Sequence, residues 1–79
     1  MNKQLKPLSQ LLIDDIGKIY DINGGYGFQR KLNTMGIRKD QGIKILSKQP
    51  FRGPITVKVC GCMMTIGQGM AQKIIVEVI

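Results

Sequence analysis

The sequence predicts a mainly β domain, a small five-stranded barrel with one short helix inserted after the first strand. Several short segments alternate apolar and polar residues, and turns containing glycine or proline separate them. Only one segment, residues 27–37, has the spacing of an amphipathic helix. Small antiparallel sheets of this kind usually curl into a barrel, because curling hides their edge strands.

The chain has 79 residues, and we expect one domain over residues 1–79 with residues 1–15 as a lead-in segment. Leu8, Leu11 and Leu12 have helical spacing, so the lead-in predicts one docked helical turn with Ser9 as its cap. No apolar run approaches the roughly 20 residues that span a bilayer. The N-terminal residues also lack the apolar core of a signal peptide, so we expect a cytoplasmic protein.

The predicted strands follow one another with short turns between them. The first, at residues 16–25, has Ile19 and Ile22 three residues apart, which predicts a β-bulge. The third, at residues 55–59, alternates cleanly, with Thr56 and Lys58 on the outer face. The other strands are predicted at residues 43–48, 62–66 and 73–79.

The helical segment places Phe28, Leu32 and Met35 on one face. Gly36 stands where a left-handed cap is expected, and Ile37 then folds back onto Leu32 in a Schellman ending. The predicted core joins this face to the strands and comprises Leu32, Met35, Ile55, Val57, Val59, Ile66, Ile74 and Val76. The glycines predicted to form turns or caps are Gly24, Gly25, Gly36 and Gly61.

Cys60 and Cys62 are the candidates for metal or redox chemistry. Cys60-Gly61 lies between two alternating segments, which predicts a two-residue hairpin turn with Cys60 exposed and Cys62 opening the next strand. A strong metal site needs about four ligands, and this chain has two cysteines and no histidine. Redox pairs use Cys-x-x-Cys spacing at a helix start. We therefore predict no cofactor, and the two thiols offer at most weak transition-metal binding.

The net charge of +7 favours acidic partners: nucleic acid, an anionic membrane surface or an acidic protein face. We predict no enzyme, because the chain has no histidine for acid–base work and its glycine-rich segments lack the spacing of phosphate-binding loops. Nucleic-acid binding has little support. Two tyrosines and two phenylalanines are present, and basic residues do not interleave with them.

Two long segments resemble the FeoA family of ferrous iron transport proteins, namely GGYGFQRKLNTMGIRKDQGIKIL and GPITVKVCGCMMTIGQGMAQKIIVEV. The family pattern has a Gly-Gly turn, a short helix that ends in Met/Leu-Gly-Ile, a Gly-Pro strand start, a glycine-centred hairpin and a final Ala-x-x-Ile-x-Val. The matching residues are Gly24-Gly25, Arg30-Lys31-Leu32, Met35-Gly36-Ile37, Gly53-Pro54, Gly61, and Ala71 with Ile74 and Val76. The similarity covers residues 8–79. It departs from the family at Lys39-Asp40, where Pro-Gly is frequent, and aspartate tolerates the left-handed conformation needed there.

The resemblance implies an SH3-like five-stranded barrel that serves as a cytosolic accessory of FeoB, the membrane ferrous iron transporter, without a small-molecule substrate. The residues that we expect to contact the cytosolic part of FeoB are Arg30, Lys31, Arg38, Lys39 and Arg52. Two alternatives stay open: a basic barrel that binds nucleic acid, and an iron-status regulatory module with weak transition-metal binding. A homo-oligomer is also compatible with the sequence.

Overall fold

One six-stranded antiparallel sheet is the framework of the computed structural model, which describes residues 4–51 and 53–79. The strands are β1 Gln4–Pro7, β2 Ile16–Ile22, β3 Gly42–Lys48, β4 Ile55–Val59, β5 Cys62–Ile66 and β6 Ile74–Val78. They are connected by a 3₁₀ turn at Leu8–Gln10 and by two helices, α1 Tyr26–Met35 and α2 Gln68–Ala71. The strand order across the sheet is β1-β6-β2-β3-β4-β5. Within the described residues, no helix is both long and apolar enough to cross a membrane.

The mainly β class is confirmed, but the prediction of five strands is wrong, because the lead-in segment contributes a sixth. This strand, β1, buries no side chain in the core and forms by pairing with β6, from Gln4 opposite Val78 to Pro7 opposite Ile75. The predicted turn in the lead-in is a 3₁₀ turn, and Ser9 lies inside it without capping it.

Two bulges bend the sheet around its apolar face. The ladder between β2 and β6 shifts register between Ile19 and Asp21, which confirms the bulge predicted for the first strand. A second shift occurs in β3, between Ile45 and Ser47. A bulge bends its strand and increases the local twist, so the two together allow a short sheet to enclose a core.

The buried apolar side chains come from every part of the fold except β1: Leu8, Leu11, Ile19, Ile22, Leu32, Ile37, Ile43, Ile45, Ile55, Val57, Val59, Ile66, Ala71, Ile74 and Val76. All the predicted core residues are among them except Met35, which is 36% exposed. Met35 is the last residue of α1, and the chain reverses immediately after it. Ile37, which is fully buried, occupies the core position instead.

The end of α1 is a Schellman motif, as predicted. Gly36 has a φ of 92°, and its N–H donates to the Asn33 carbonyl at 3.0 Å. The Ile37 N–H donates to the Leu32 carbonyl at 2.9 Å. These two bonds are the 5→2 and 6→1 pairs that define the motif, and they return the chain to the core directly after the helix.

The close approach of β2 to β6 at Gly17 was not predicted from the sequence. A Cβ atom on Gly17 would lie 2.5 Å from Val76 Cγ1 and 2.7 Å from the Glu77 carbonyl oxygen. The Glu77 carbonyl belongs to the backbone and cannot move aside as a flexible side chain does, so only glycine fits at this position without a shift of one strand.

We expect Gly17→Ala to destabilise the domain by about 1–3 kcal/mol, because the added methyl group overpacks the β2–β6 contact. Gly42→Ala on β3 is the matched control, since a Cβ atom there has no neighbour within 4 Å, and its effect should stay within about 0.5 kcal/mol. Urea unfolding followed by circular dichroism measures both changes. Equal stability of the two variants would contradict the close approach.

Candidate functional site

The predicted partner-binding residues lie on two adjoining segments, α1 and the turn that follows it. Arg30 and Lys31 are exposed on α1, and their side chains leave the helix about 100° apart. Arg38 and Lys39 are exposed in the turn. Arg52 lies outside the described residues. We call Arg30, Lys31, Arg38 and Lys39 the α1 basic face.

The turn at residues 38–41 is held in one conformation by hydrogen bonds. The Arg38 N–H donates to Gln41 Oε1 at 2.9 Å. The Asp40 N–H donates to the Ile19 carbonyl at 2.7 Å, and the Ile19 N–H donates to the Gln41 carbonyl at 2.9 Å. Asp40 has a φ of 70°, the left-handed conformation expected for the family's turn at this position. The turn therefore presents Arg38 and Lys39 from a fixed backbone.

Lys39 differs from the other residues of the α1 basic face because it has an acidic neighbour. Its ammonium lies 3.2 Å from Asp21 Oδ1, on the bulged part of β2. The Ile22 N–H donates to the same carboxylate at 2.9 Å. These contacts, the backbone N–H first and the Lys39 ammonium second, hold the pKa of Asp21 below its usual value of 3.8. A second pair, Lys18 with Asp40 at 3.7 Å, is longer and exposed.

Helix α1 is attached to the end of β2, whereas the turn is attached to its middle. Gln29 Nε2 donates to the Ile22 and Gly24 carbonyls at 3.3 Å and 3.2 Å. Phe28 packs against the core and carries the Lys73 ammonium 4.9 Å from the centre of its ring. Helix and turn are thus both anchored on β2, which supports the residues of the α1 basic face.

The two glycines before α1 differ in their environments. Gly24 has a φ of 137°, and a Cβ atom there would lie 2.7 Å from the Phe28 ring. Gly25 has a φ of −71°, which other residues also adopt, and precedes the first residue of the helix. The entry to α1 therefore depends on Gly24 more than on Gly25.

The hairpin turn between β4 and β5 contains both cysteines at or beside its tip. Cys60 and Gly61 have φ values of 51° and 79°, as in the primed turns that join two-residue hairpins. Cys60 is exposed in the turn, and Cys62 begins β5 opposite Val59. Over residues 4–51 and 53–79, no group of three or more His, Cys, Asp or Glu side chains is placed to hold a metal ion.

Lys48 makes a polar contact that sequence reasoning missed. Its ammonium donates to the Ser9 and Leu11 carbonyls at 3.1 Å and 2.8 Å. It lines a polar depression of about 390 Å³ together with glutamine and serine side chains. Both acceptors lie more than 35 residues away in sequence, so no local pattern could have indicated the contact.

Comparisons with known proteins agree with the fold and with the resemblance. The family model of the FeoA domain matches residues 6–78. A protein of Methanocaldococcus jannaschii, provisionally named Fe(2+) transport protein A, is 36% identical over 56 residues, which are 71% of this chain and 66% of that protein, just under two thirds of its length. A crystal structure of an iron uptake regulatory protein (FeoA) superposes with a TM-score of 0.89 at 33% identity, over 96% of this chain and all of that one.

The same fold occurs inside a larger protein of a different class. A manganese-dependent transcriptional repressor has a TM-score of 0.89 over the whole of this chain and 44% of its own, at 22% identity. That identity shows the fold alone. The superpositions confirm the SH3-like class expected from the sequence.

Asp21→Asn should flatten the pH dependence of stability in the acid range. A lowered pKa in the folded state stabilises the protein above pH 3.8, and this contribution is lost as the pH falls through the lowered value. The melting-temperature difference between wild type and Asp21→Asn should therefore be larger near pH 7 than near pH 2. Lys39→Gln removes only the second cause and should give an intermediate profile. Parallel pH profiles for wild type and Asp21→Asn would contradict this assignment.

Opposite effects are expected from two substitutions in the hairpin turn. Cys60→Asn should stabilise the domain by about 0.5–1 kcal/mol, because asparagine adopts positive φ more readily than cysteine and Asn-Gly suits this turn. Gly61→Val should destabilise it by about 1–3 kcal/mol, since a β-branched residue is strained at positive φ. Chemical denaturation measures both, and a fully stable Gly61→Val protein would refute the hairpin geometry.

Proposed function

Because the chain belongs to the FeoA domain family, we propose that it is a cytoplasmic accessory of ferrous iron uptake that binds the cytosolic part of a FeoB-type transporter. The α1 basic face is the proposed contact surface. In this role the domain is a binding module and not an enzyme, and ferrous iron is the cargo of the transporter, not a resident cofactor of the domain.

The charge of the α1 basic face is the observation that carries this proposal. Among the described residues, Arg30, Lys31 and Arg38 have no carboxylate within 4 Å, and all three are exposed. Their fields are therefore available to an incoming acidic surface. The Lys39 ammonium is paired with the Asp21 carboxylate, so Lys39 contributes less to the electrostatic field of the face.

The rigid support of this face suits a docking function. Its turn is tied to β2 by backbone hydrogen bonds, and its helix is tied to the same strand through Gln29. Charges on a fixed backbone lose less conformational entropy on binding than charges on a flexible loop. Exposed charges of this kind mainly raise the association rate and set the orientation of the partners.

Reversal of both helix charges should weaken binding without unfolding the barrel. We expect Arg30→Glu/Lys31→Glu to lower the affinity for the soluble cytosolic portion of FeoB about tenfold, or about 1.4 kcal/mol, mostly through a slower association rate. Surface plasmon resonance at two salt concentrations measures the two rate constants. Added salt should reduce the difference between wild type and the double variant, because exposed charges are screened.

A matched control separates the α1 basic face from net charge. Arg30→Glu and Lys6→Glu each take the net charge from +7 to +5, and Lys6 is exposed on β1. Only Arg30→Glu should slow association. If the Lys6 variant weakens binding as much, the partner senses overall charge and the α1 basic face is not the contact surface.

A further inference from the structure

We propose that a second surface, at the opposite end of β2 from α1, docks an extended acidic–apolar peptide segment of a protein partner. The surface consists of Lys44 and Lys58, the apolar depression beside them, and Met63. We call it the paired-lysine surface. It does not depend on the function proposed above, because it shares no residue with the α1 basic face.

The two lysines lie directly opposite each other on neighbouring strands. Lys44 on β3 pairs with Lys58 on β4, so their side chains leave the same face of the sheet. Like charges in this arrangement repel and destabilise a sheet. Within residues 4–51 and 53–79, neither ammonium has a carboxylate within 4 Å. An anion placed between them would remove the repulsion, so the pair is suited to a carboxylate from outside.

An apolar depression adjoins the lysines. Its volume is about 240 Å³, and it is lined by the two lysines together with Ile16, Gly42, Ile43, Cys60 and Gly61. Sites for whole small-molecule ligands usually measure about 300–1,000 Å³, so this one is matched to a single side chain. Ile16 is 50% exposed at its edge and offers apolar area to such a side chain.

The register of the sheet aligns these groups in a row. Ile16 pairs with Lys44, Lys44 with Lys58, and Lys58 with Met63, which is 72% exposed. Four adjacent strands span about 14 Å, which is about four residue steps of an extended chain, and residues i, i+2 and i+4 of such a chain face the same side. The order apolar, basic, basic, apolar fits a peptide that presents an apolar residue at i, an acidic residue at i+2 between the two ammonium groups, and an apolar residue at i+4. This complementarity of charge and spacing selects a peptide over a free carboxylate.

The two basic surfaces are attached to different parts of β2. Helix α1 is attached at Ile22, at one end of the strand, and the turn that carries Arg38 and Lys39 is attached at Ile19, near its middle. The row of the paired-lysine surface begins at Ile16, at the other end. The two surfaces share no charged residue, so the helix charges Arg30 and Lys31 serve as controls for Lys44 and Lys58.

The probe is the blocked peptide acetyl-Leu-Ser-Glu-Ser-Leu-amide, titrated into ¹⁵N-labelled protein. We expect saturable amide shifts at Lys44, Lys58, Cys60 and Gly61 and none on α1. Two further peptides test the recognition rule, one with glutamine in place of the glutamate and one with glycine in place of both leucines. Both should bind at least tenfold more weakly. Equal binding of either would overturn the requirement for combined charge and apolar recognition.

Lys58→Glu is the decisive variant, because it should gain stability while it loses binding. Attraction between the Lys44 ammonium and the introduced carboxylate replaces the repulsion and should raise the melting temperature by about 2–6 °C. Peptide affinity should fall at least tenfold. Arg30→Glu, which also changes the net charge from +7 to +5, should keep the peptide affinity within twofold. Unchanged peptide binding by Lys58→Glu, or a lower melting temperature, would overturn the proposal.

The titration is repeated with two other anionic partners. Vesicles of phosphatidylserine and phosphatidylcholine, and a single-stranded oligonucleotide, are added in place of the peptide. Shifts at Lys44 and Lys58 with either of these, together with none from the peptide, would assign the surface to lipid or nucleic acid and overturn the peptide proposal. Shifts that respond to the peptide alone would support it.

Discussion

The curvature of the sheet is the constraint on which the rest of this structure depends. A domain of 79 residues buries a modest share of its surface, so a short sheet has to enclose its core by bending. The bulges at Ile19/Asp21 and Ile45/Ser47 supply the bend, and Gly17 allows β2 and β6 to approach closely. The bend allows the strands to enclose the apolar side chains that are buried in the core.

Once the apolar face is enclosed, the alternation of side chains along each strand determines which residues face the solvent. Ile43 and Ile45 are buried, so Lys44 between them faces out, and Val57 and Val59 impose the same on Lys58. The register between β3 and β4 then sets the two lysines opposite each other. A slip of one residue would bury both charges, so the core itself fixes this juxtaposition. The core does not, however, require lysine at either position, since any polar side chain would satisfy the alternation.

Much of the fold could be predicted because its signals are local. The alternation of β4, the Cys60-Gly61 turn, the bulge in β2 and the Schellman ending at Gly36 each follow from a few neighbouring residues. β1 could not be predicted, because it is a strand only by virtue of its pairing with β6 at the other end of the chain. Met35 was misplaced because helical spacing continues to the end of α1, whereas the core contact passes to Ile37.

In the candidate sites, too, some features follow from the local sequence and others depend on the fold. That Arg30 and Lys31 are exposed follows from the helical pattern, but the Lys39–Asp21 contact depends on how the turn lies against β2. The Lys44–Lys58 pairing likewise depends on register, which no single strand reveals. Composition gives the excess of positive charge, and only the fold shows where that charge is neutralised and where it is not.

The distribution of neutralised and unneutralised charge affects how such a small basic domain can bind its partners. Like charges on one surface repel one another and oppose compaction, so unneutralised clusters reduce a stability margin that is already narrow. Here Asp40 lies beside Lys18 and Asp21 beside Lys39. Within the described residues, no carboxylate lies within 4 Å of the ammonium or guanidinium groups of Arg30, Lys31, Arg38, Lys44 and Lys58. Because α1 is attached at Ile22 and the paired-lysine row begins at Ile16, the strand β2 determines how the two clusters are arranged. With both proposed surfaces occupied, the domain would hold two acidic segments in a defined arrangement, and its contribution to a larger assembly would be geometric.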